Sequence, residues 1–185
     1  CVAAGIPFLN WQTPKARRVL FIDGEMPATD LKERFNALVE SSPINEPSDL
    51  YLKILAADFQ KLGMPNLSSE EGQKELEPLV AEAELIVVDS ISTLVRNGRE
   101  NEAESWVPIQ NWALKQRARG KTILFIHHAG KGGEQRGSSK KEDVLDTVIQ
   151  LKSPNDYSPS EGAHYEVHFN KARGFYGKDA DPFDL

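Results

Sequence analysis

Short apolar runs alternate with amphipathic segments along most of the chain. Arg18–Asp23 (RVLFID), Tyr51–Ala56, Leu85–Asp89 (LIVVD) and Thr122–His127 (TILFIH) each predict a buried strand. Between the runs, apolar positions recur every three or four residues, which predicts helices. Strands that are apolar throughout and alternate with helices indicate a parallel sheet covered on both faces. The pattern therefore predicts an α/β fold with a doubly wound, mostly parallel sheet.

Three helical stripes separate the strands. Their apolar positions are Leu31, Phe35, Leu38 and Val39 in the first, Leu76, Leu79, Val80 and Ala83 in the second, and Trp106, Ile109 and Ala113 in the third. Ser68 and Glu71 predict a capping box at the start of the second helix. Pro78 interrupts that stripe and predicts a bend or a late start. Gly120 marks the end of the third helix.

The C-terminal segment follows a different pattern. Apolar and polar residues alternate over 145–152 and again over 165–170. A polar link containing Pro154, Pro159 and Gly162 joins these two stretches. Such alternation predicts an antiparallel pair of strands, which we expect as a hairpin at the edge of the parallel sheet.

Composition narrows the class of protein. The length of 185 residues fits one domain, spanning 1–185. No apolar run approaches the ~18 residues of a membrane helix, so we expect no membrane segment. A single cysteine, Cys1, excludes an internal disulfide framework, and a cytoplasmic location is expected. The net charge of 22 − 28 = −6 argues against a general coating of positive charge, although it leaves room for a local basic loop.

Polar side chains follow the three strongest strands. They are Asp23 and Glu25 after the first, Asp89 and Ser90 after the second, and His127 and His128 after the third. Ligands of open α/β sheets bind beyond the carboxyl ends of the strands. An acid at such a position suits Mg²⁺ beside a nucleotide phosphate. A glutamate on the neighbouring strand could orient a water and deprotonate it, and a polar residue on the next could sense the γ-phosphate.

Each of these residues also has a purely structural explanation. Asp89 could cap a turn, and Glu25 could be a solvated acid in the first turn of a helix. Singly, these explanations are at least as good, whereas the three strand ends together favour a site. His127 and His128 do not predict zinc, because adjacent strand residues point to opposite faces.

Two basic segments are candidate phosphate contacts. The first is the glycine-rich stretch GKGGEQRGSSKK, which contains Lys131, Arg136, Lys140 and Lys141. It could bind a nucleic-acid backbone or be an ordinary surface loop, and composition does not separate the two. Lys171 and Arg173 could both reach one phosphate, although on spacing alone a solvated turn is the commoner outcome.

The chain contains no match to the phosphate-binding motif G-x-x-x-x-G-K-[ST]. Gly120-Lys121-Thr122 imitates its end, but Lys115 stands where the first glycine belongs. The tripeptide also precedes a predicted strand, whereas the motif precedes a helix.

The ordered motifs nevertheless resemble those of the RecA-like P-loop ATPases. VLFIDGEM, LIVVDSISTL, ILFIHHAGKG, QRGSS and NKARGFYG occur in that family's order, over about Gly5 to Gly177. The chain is most similar to hexameric plasmid helicases of the RepA type and to related primase-helicase ATPase domains. The resemblance implies ATP and Mg²⁺ as cofactors. As partners it implies single-stranded DNA and further copies of the chain in a hexamer or other ring.

The resemblance also implies roles for individual residues. Glu25 would activate water, Asp89 would hold Mg²⁺ as the Walker B aspartate with Ser90 beside it, and His128 or His127 would couple the γ-phosphate to a DNA-facing loop. Lys171 and Arg173 would enter the neighbouring subunit's site. The residues that would contact DNA or follow the DNA-facing loop are Lys131, Arg136, Ser138, Ser139 and Lys140.

In the family, a strand and the P-loop precede a helix that ends in something like Cys1–Gly5. We therefore expect residues 1–185 to be a core fragment, without the P-loop strand, that binds ATP weakly by itself. The main hypothesis is a ring-forming DNA helicase or translocase in plasmid, phage or mobile-element replication. The alternatives are a regulatory or signalling ATPase that acts on a protein partner, and a non-catalytic assembly scaffold.

Overall fold

A four-stranded parallel sheet lies at the centre of the first of two units, Cys1–His128; the second unit is Ala129–Leu185. The computed structural model describes residues 1–9, 11–41, 51–96, 103–128 and 142–185. The sheet order is β2-β1-β3-β4. Its strands are β1 (Val19–Asp23), β2 (Leu52–Ala56), β3 (Leu85–Asp89) and β4 (Thr122–Phe125). The α/β fold with a mostly parallel sheet is confirmed.

Helices connect these strands. They are α1 (Ala28–Glu40), α2 (Glu70–Glu82), α3 (Ile91–Leu94) and α4 (Ala103–Ala118), with a 3₁₀ turn at Ala57–Phe59. The last strand is shorter than predicted, because β4 ends at Phe125 and the two histidines lie in the segment that follows it. The backbone N–H of Ile126 still donates to the carbonyl of Val88 at 3.0 Å, which keeps that segment beside β3.

The register brings the carboxyl ends of the strands to one edge. β1 pairs with β3 so that Asp23 and Asp89 are partners, and β3 pairs with β4 so that Val88 and Phe125 are partners. Because all the pairings are parallel, the polar residues after β1, β3 and β4 leave the sheet on the same side. This is the arrangement that the predicted site requires.

Most of the core lies on one face of the sheet. Its buried side chains include Leu20 and Ile22 of β1, Ile86 and Val88 of β3, Leu76 and Val80 of α2, and Leu94, Trp106 and Ile109. A smaller cluster of Ala3, Val19 and Val87 lies on the other face. Successive residues of a strand point to opposite faces of the sheet, and both faces are covered here, which explains why the apolar runs are continuous. Burying each large aliphatic side chain contributes about 1.5–3 kcal/mol.

The start of α2 corrects a prediction. The N-cap is Ser69, whose side chain accepts a hydrogen bond from Gly72 N–H at 3.1 Å. Ser68 instead donates to Asn66 Oδ1 at 2.7 Å, so the predicted capping box of Ser68 and Glu71 is wrong by one residue. The predicted late start is also wrong, because α2 begins at Glu70 and runs through Pro78.

The second unit contains an antiparallel sheet of three strands. They are β5 (Thr147–Lys152), β6 (Glu166–Ala172) and β7 (Phe183–Asp184), in the order β5-β6-β7. The predicted antiparallel pair is confirmed as β5 and β6, with a register shift between Val148 and Ile149. Its place differs from the expected edge of the parallel sheet, because β6 pairs with β5 and β7 and the three form a separate sheet. Short 3₁₀ turns lie at Pro159–Glu161 and Gly177–Ala180.

Across the part of the chain that the structure describes, no helix is both long and apolar enough to cross a membrane.

Candidate functional site

A tight turn after β1 forms the base of the site. Asp23 is fully buried at the end of the strand. Its Oδ1 accepts hydrogen bonds from the backbone N–H groups of Glu25 and Met26, both at 2.8 Å. An aspartate that binds amides two and three residues ahead holds the chain in a turn. The turn directs the Glu25 side chain toward Ser90 and His128, which follow β3 and β4.

The Glu25 carboxylate is held through one of its two oxygens. Ser90 Oγ donates to Oε2 at 3.1 Å, and His128 Nε2 lies 3.0 Å from the same oxygen. These contacts, that of His128 first, lower the pKa of Glu25 below its usual value. Among the described residues, no hydrogen bond reaches Oε1. Glu25 is therefore an ionised carboxylate with one oxygen fixed and the other open.

Ser90 is itself fixed from two sides. The residue is fully buried, and Ser92 Oγ lies 2.8 Å from its Oγ. Its backbone N–H donates to Thr93 Oγ1 at 3.3 Å, and Thr93 Oγ1 donates back to the Ser90 carbonyl at 3.0 Å. These hydrogen bonds leave the hydroxyl that contacts Glu25 with little freedom.

Asp89 lies in a surplus of negative charge. Burial raises the pKa of its carboxyl, and the charges of Asp23 and Glu25 raise it further. His128 and Arg34 act in the opposite direction, but they do not cancel the shift. Like charges at the end of β3 favour either a bound proton or a cation at this position.

The donor set fits Mg²⁺ held together with a phosphate group. Asp23 Oδ2 is buried and has no hydrogen-bond partner among the described residues, so an unused oxygen remains beside Asp89. Within those residues, no group of three His, Cys, Asp or Glu side chains could hold a metal ion alone. Mg²⁺ commonly takes one or two protein carboxylates and completes its shell with waters and substrate phosphates. The acids here suit that mode of binding.

The turn is packed against β3 and α3. Gly24 N–H donates to the Asp89 carbonyl at 2.7 Å. A Cβ on Gly24 would lie 2.6 Å from Thr93 Oγ1, closer than any side chain tolerates. Only glycine fits there, because the backbone itself approaches α3.

The second unit brings Lys171 and Arg173 together. Lys171 Nζ donates to the carbonyls of Glu142 and Asp143, and Arg173 Nη2 donates to that of Asp143 at 3.1 Å. Arg173 Nη1 also lies 3.7 Å from a carboxylate oxygen of Asp146. Both cations therefore converge on the turn at Glu142 and Asp143, which precedes β5.

The other predicted site residues divide into two groups. His127 is half-buried after β4, and it is His128 that contacts Glu25. The predicted DNA-contacting residues Lys131, Arg136, Ser138, Ser139 and Lys140 lie outside the described residues.

Sequence reasoning placed Asp23 at a strand end but missed its role as the centre of the turn, and it missed three further residues that shape the site, Ser92, Thr93 and Arg34. Asp23 had a readable signal, since an aspartate at a strand end followed by glycine is typical of a side-chain-stabilised turn. The other three carried none, because their contacts depend on which strands become neighbours.

Comparisons with known proteins agree with the fold described above. The crystal structure of a KaiC-like protein from the hyperthermophilic archaeon Pyrococcus horikoshii has a similar fold, with a TM-score of 0.55, 17% sequence identity and coverage of 85% of this chain. The chain covers 66% of that protein, just under two thirds of its length. No curated protein sequence matches. The AAA domain family matches residues 1–134, which include the whole parallel sheet. The chain therefore belongs to the AAA domain family, within the RecA-like P-loop ATPases.

Proposed function

We propose that this chain is the catalytic core of a Mg²⁺-dependent ATPase in which Glu25 activates the attacking water. Membership of the family supports nucleotide hydrolysis in general. The observation that carries the proposal is the fixed carboxylate of Glu25, bound by Ser90 and His128 beside the end of β3. A solvated loop acid would not need two side-chain partners that follow two other strands.

The contacts of Glu25 suit a water-activating role. With Oε2 occupied by two partners, Oε1 is the oxygen that can accept a hydrogen bond from water. The lowered pKa keeps the carboxylate ionised at neutral pH. Glu25 would orient the water and take its proton as the water oxygen bonds to the γ-phosphorus, while the bond from that phosphorus to the β,γ-bridging oxygen breaks and ADP leaves with the electron pair. General-base catalysis of this kind contributes about 10²–10⁴-fold to rate.

Asp89 is proposed to anchor the water shell of Mg²⁺, with the unused Oδ2 of Asp23 adding negative charge nearby. The bound Mg²⁺ would neutralise charge on the phosphates of ATP. Ser90, His127 and His128 lie at the same edge of the sheet. The proposal requires a phosphate-binding loop, which no segment of residues 1–185 matches.

Lys171 and Arg173 are proposed to act on the nucleotide of a neighbouring subunit in a ring. Their shared contact with the carbonyl of Asp143 supports a joint role, since an Arg fork and a Lys point charge are complementary phosphate ligands. The motif resemblance supports a helicase or translocase, with single-stranded DNA bound by Lys131, Arg136 and the adjacent serines. Within this proposal, the chain would act as a hexameric plasmid helicase of the RepA type.

A regulatory ATPase is the second candidate. The net charge of −6 is compatible with a protein partner. A scaffold without catalysis is the least supported, since it would not require Glu25 to be held by two partners.

ATP turnover of the intact protein tests the proposal. We expect Glu25→Gln to lose about 10²-fold or more in turnover while retaining ATP binding. Glu33→Gln, an exposed glutamate of α1, is the matched control and should behave as wild type. Undiminished turnover in Glu25→Gln would contradict the assignment.

Single-stranded DNA separates the candidate functions. Strong stimulation of turnover, lost in Arg136→Ala, supports a translocase. Turnover that ignores DNA supports a regulatory ATPase, and absence of turnover in the intact wild type supports the scaffold.

A further inference from the structure

We propose that Asp23 is a positioning residue for Glu25, acting through the backbone of the turn between them. The inference rests on the proposed function, because it assigns Asp23 to the aim of the water-activating carboxylate. Asp23 is fully buried, and its Oδ1 accepts from the N–H groups of Glu25 and Met26 at 2.8 Å. Asp23 does not contact Ser90 or His128 in any described hydrogen bond.

Glu25 needs such a support because its side chain is mobile by nature. The side chain is 44% exposed, and neighbouring atoms do not confine it on all sides. Ordering a glutamate side chain costs rotamer entropy. Two hydrogen bonds to Oε2 offset that cost only if the backbone already directs the side chain toward the end of β3.

The backbone is fixed at three consecutive residues. Gly24 N–H binds the carbonyl of Asp89 at 2.7 Å, and the next two N–H groups bind Asp23 Oδ1. The first bond ties the turn to β3, whereas the other two set the direction in which the chain leaves it. Loss of Asp23 Oδ1 would leave both amides without their acceptor while the first bond remained.

The two oxygens of Asp23 have separable roles. Oδ1 holds the turn, and Oδ2 adds charge beside Asp89 without a partner of its own among the described residues. The substitution Asp23→Asn would keep an acceptor at Oδ1 and lose the charge, whereas Asp23→Ala would lose both. The two variants therefore distinguish positioning from charge, and the pattern expected for each differs from a general loss of folding.

Amide hydrogen exchange tests the positioning directly, without ATP. We expect the Glu25 and Met26 amides of Asp23→Ala to exchange at least ~10-fold faster than in wild type, with near-wild-type rates in Asp23→Asn. The Gly24 amide is the internal control, since its acceptor is unchanged. If the Gly24 amide also loses protection in Asp23→Ala, the variant Asp23→Ser is used instead, because its hydroxyl is small and offers a weaker acceptor. In Asp23→Ser, we expect the Glu25 and Met26 amides to exchange at rates between those of wild type and Asp23→Ala.

Steady-state kinetics of the intact protein complete the test. At saturating Mg²⁺, we expect Asp23→Ala to lower kcat by about 10–100-fold with KM for ATP within ~3-fold, as misplacement of a catalytic group does. Asp23→Asn should keep a kcat at least ~5-fold above that of Asp23→Ala, because it retains the acceptor at Oδ1 and loses only the charge near the proposed Mg²⁺ position. Equal losses in both variants, or unchanged exchange at Glu25 and Met26, would overturn the proposal. Absence of turnover in wild type would overturn the proposed function instead and leave the exchange result standing.

Discussion

His128 Nε2 and Glu25 Oε2 lie 3.0 Å apart and join the ends of two strands that are not neighbours. Glu25 follows β1 and His128 follows β4, with β3 between them. The contact therefore passes over the end of β3, where Asp89 lies. The contact thus ties the proposed base to the segment that directly follows β4.

Replacing His128 by alanine should weaken catalysis and change its pH dependence. The substitution removes the leading cause of the lowered pKa of Glu25, so that pKa rises toward its ordinary value. Because the proposed base must be ionised, activity should then be lost at a higher pH than in wild type. We expect kcat to fall about 10-fold, measured as a pH–rate profile.

The matched control for this variant is His164→Ala. His164 pairs with Glu161 in the second unit, so its removal also deletes a histidine–carboxylate contact. Its pH–rate profile should match that of wild type. An unshifted acid limb in His128→Ala would show that Glu25 does not depend on this contact.

Replacing Asp89 by asparagine should separate stability from catalysis. The pKa of Asp89 is raised, so the charged form is disfavoured in the folded protein and stability declines as pH rises above the ordinary value of 3.8. Asparagine removes this penalty, and we expect a higher Tm at neutral pH without Mg²⁺. Turnover of the intact protein should fall about 10²-fold or more, since the proposed metal anchor is lost.

Thermal unfolding with and without Mg²⁺ plus ATP checks that prediction in the intact protein. Wild type should be stabilised by the ligand and the variant much less. A lower Tm in Asp89→Asn without Mg²⁺ would contradict the account of repulsion at the end of β3.

The strands could be predicted from sequence because each is apolar along its whole length. The strand LIVVD is covered on both faces of the sheet, and its four consecutive apolar residues indicate that environment in the sequence. Parallel pairing then requires the residues after Asp23 and Asp89 to leave at the same edge. The position of the site thus followed from pattern and topology together.

The contacts within the site could not be predicted in the same way. The choice between Ser68 and Ser69 as the N-cap depends on Asn66, which binds the Ser68 hydroxyl. The selection of His128 by Glu25 depends on where β4 ends, two residues earlier than its apolar pattern indicates. Such choices are made by neighbours that the apolar pattern does not reveal.

Gly24→Ala should destabilise the protein through a steric conflict. The new Cβ would lie 2.6 Å from Thr93 Oγ1 and 3.1 Å from Leu94 Cδ2, both on α3. Overpacking of this kind costs about 1–3 kcal/mol. Urea unfolding of the chain measures it, with Gly174→Ala as the control because nothing lies within 4 Å of a Cβ there. Equal stabilities of the two variants would rule out the close approach.

Glu84→Gln should lose stability at neutral pH and resemble wild type in acid. Glu84 Oε2 accepts the Arg18 N–H at 3.0 Å, and Oε1 accepts from Arg17 Nη1 at 2.9 Å, where β1 and β3 begin. The Arg18 backbone first, and Arg17 next, hold the pKa of Glu84 below its ordinary 4.5. A carboxyl with a lowered pKa stabilises the folded state above the unfolded-state value, and that contribution disappears as pH falls through the folded-state value.

Urea midpoints at neutral pH and in acid measure the effect, and the difference between wild type and Glu84→Gln should close as pH falls below that ordinary value. Glu75→Gln, on the exposed side of α2, is the control and should follow wild type throughout. A gap that persists in acid would mean that the carboxylate acts through packing rather than charge. The Arg18 carbonyl also accepts hydrogen bonds from the backbone N–H groups of Glu84 and Leu85, so the side chain of Glu84 supports the place where β1 and β3 begin to pair. In Glu84→Gln, we therefore expect the first residue pairs of β1 and β3 to lose amide protection before the strand ends that carry Asp23 and Asp89.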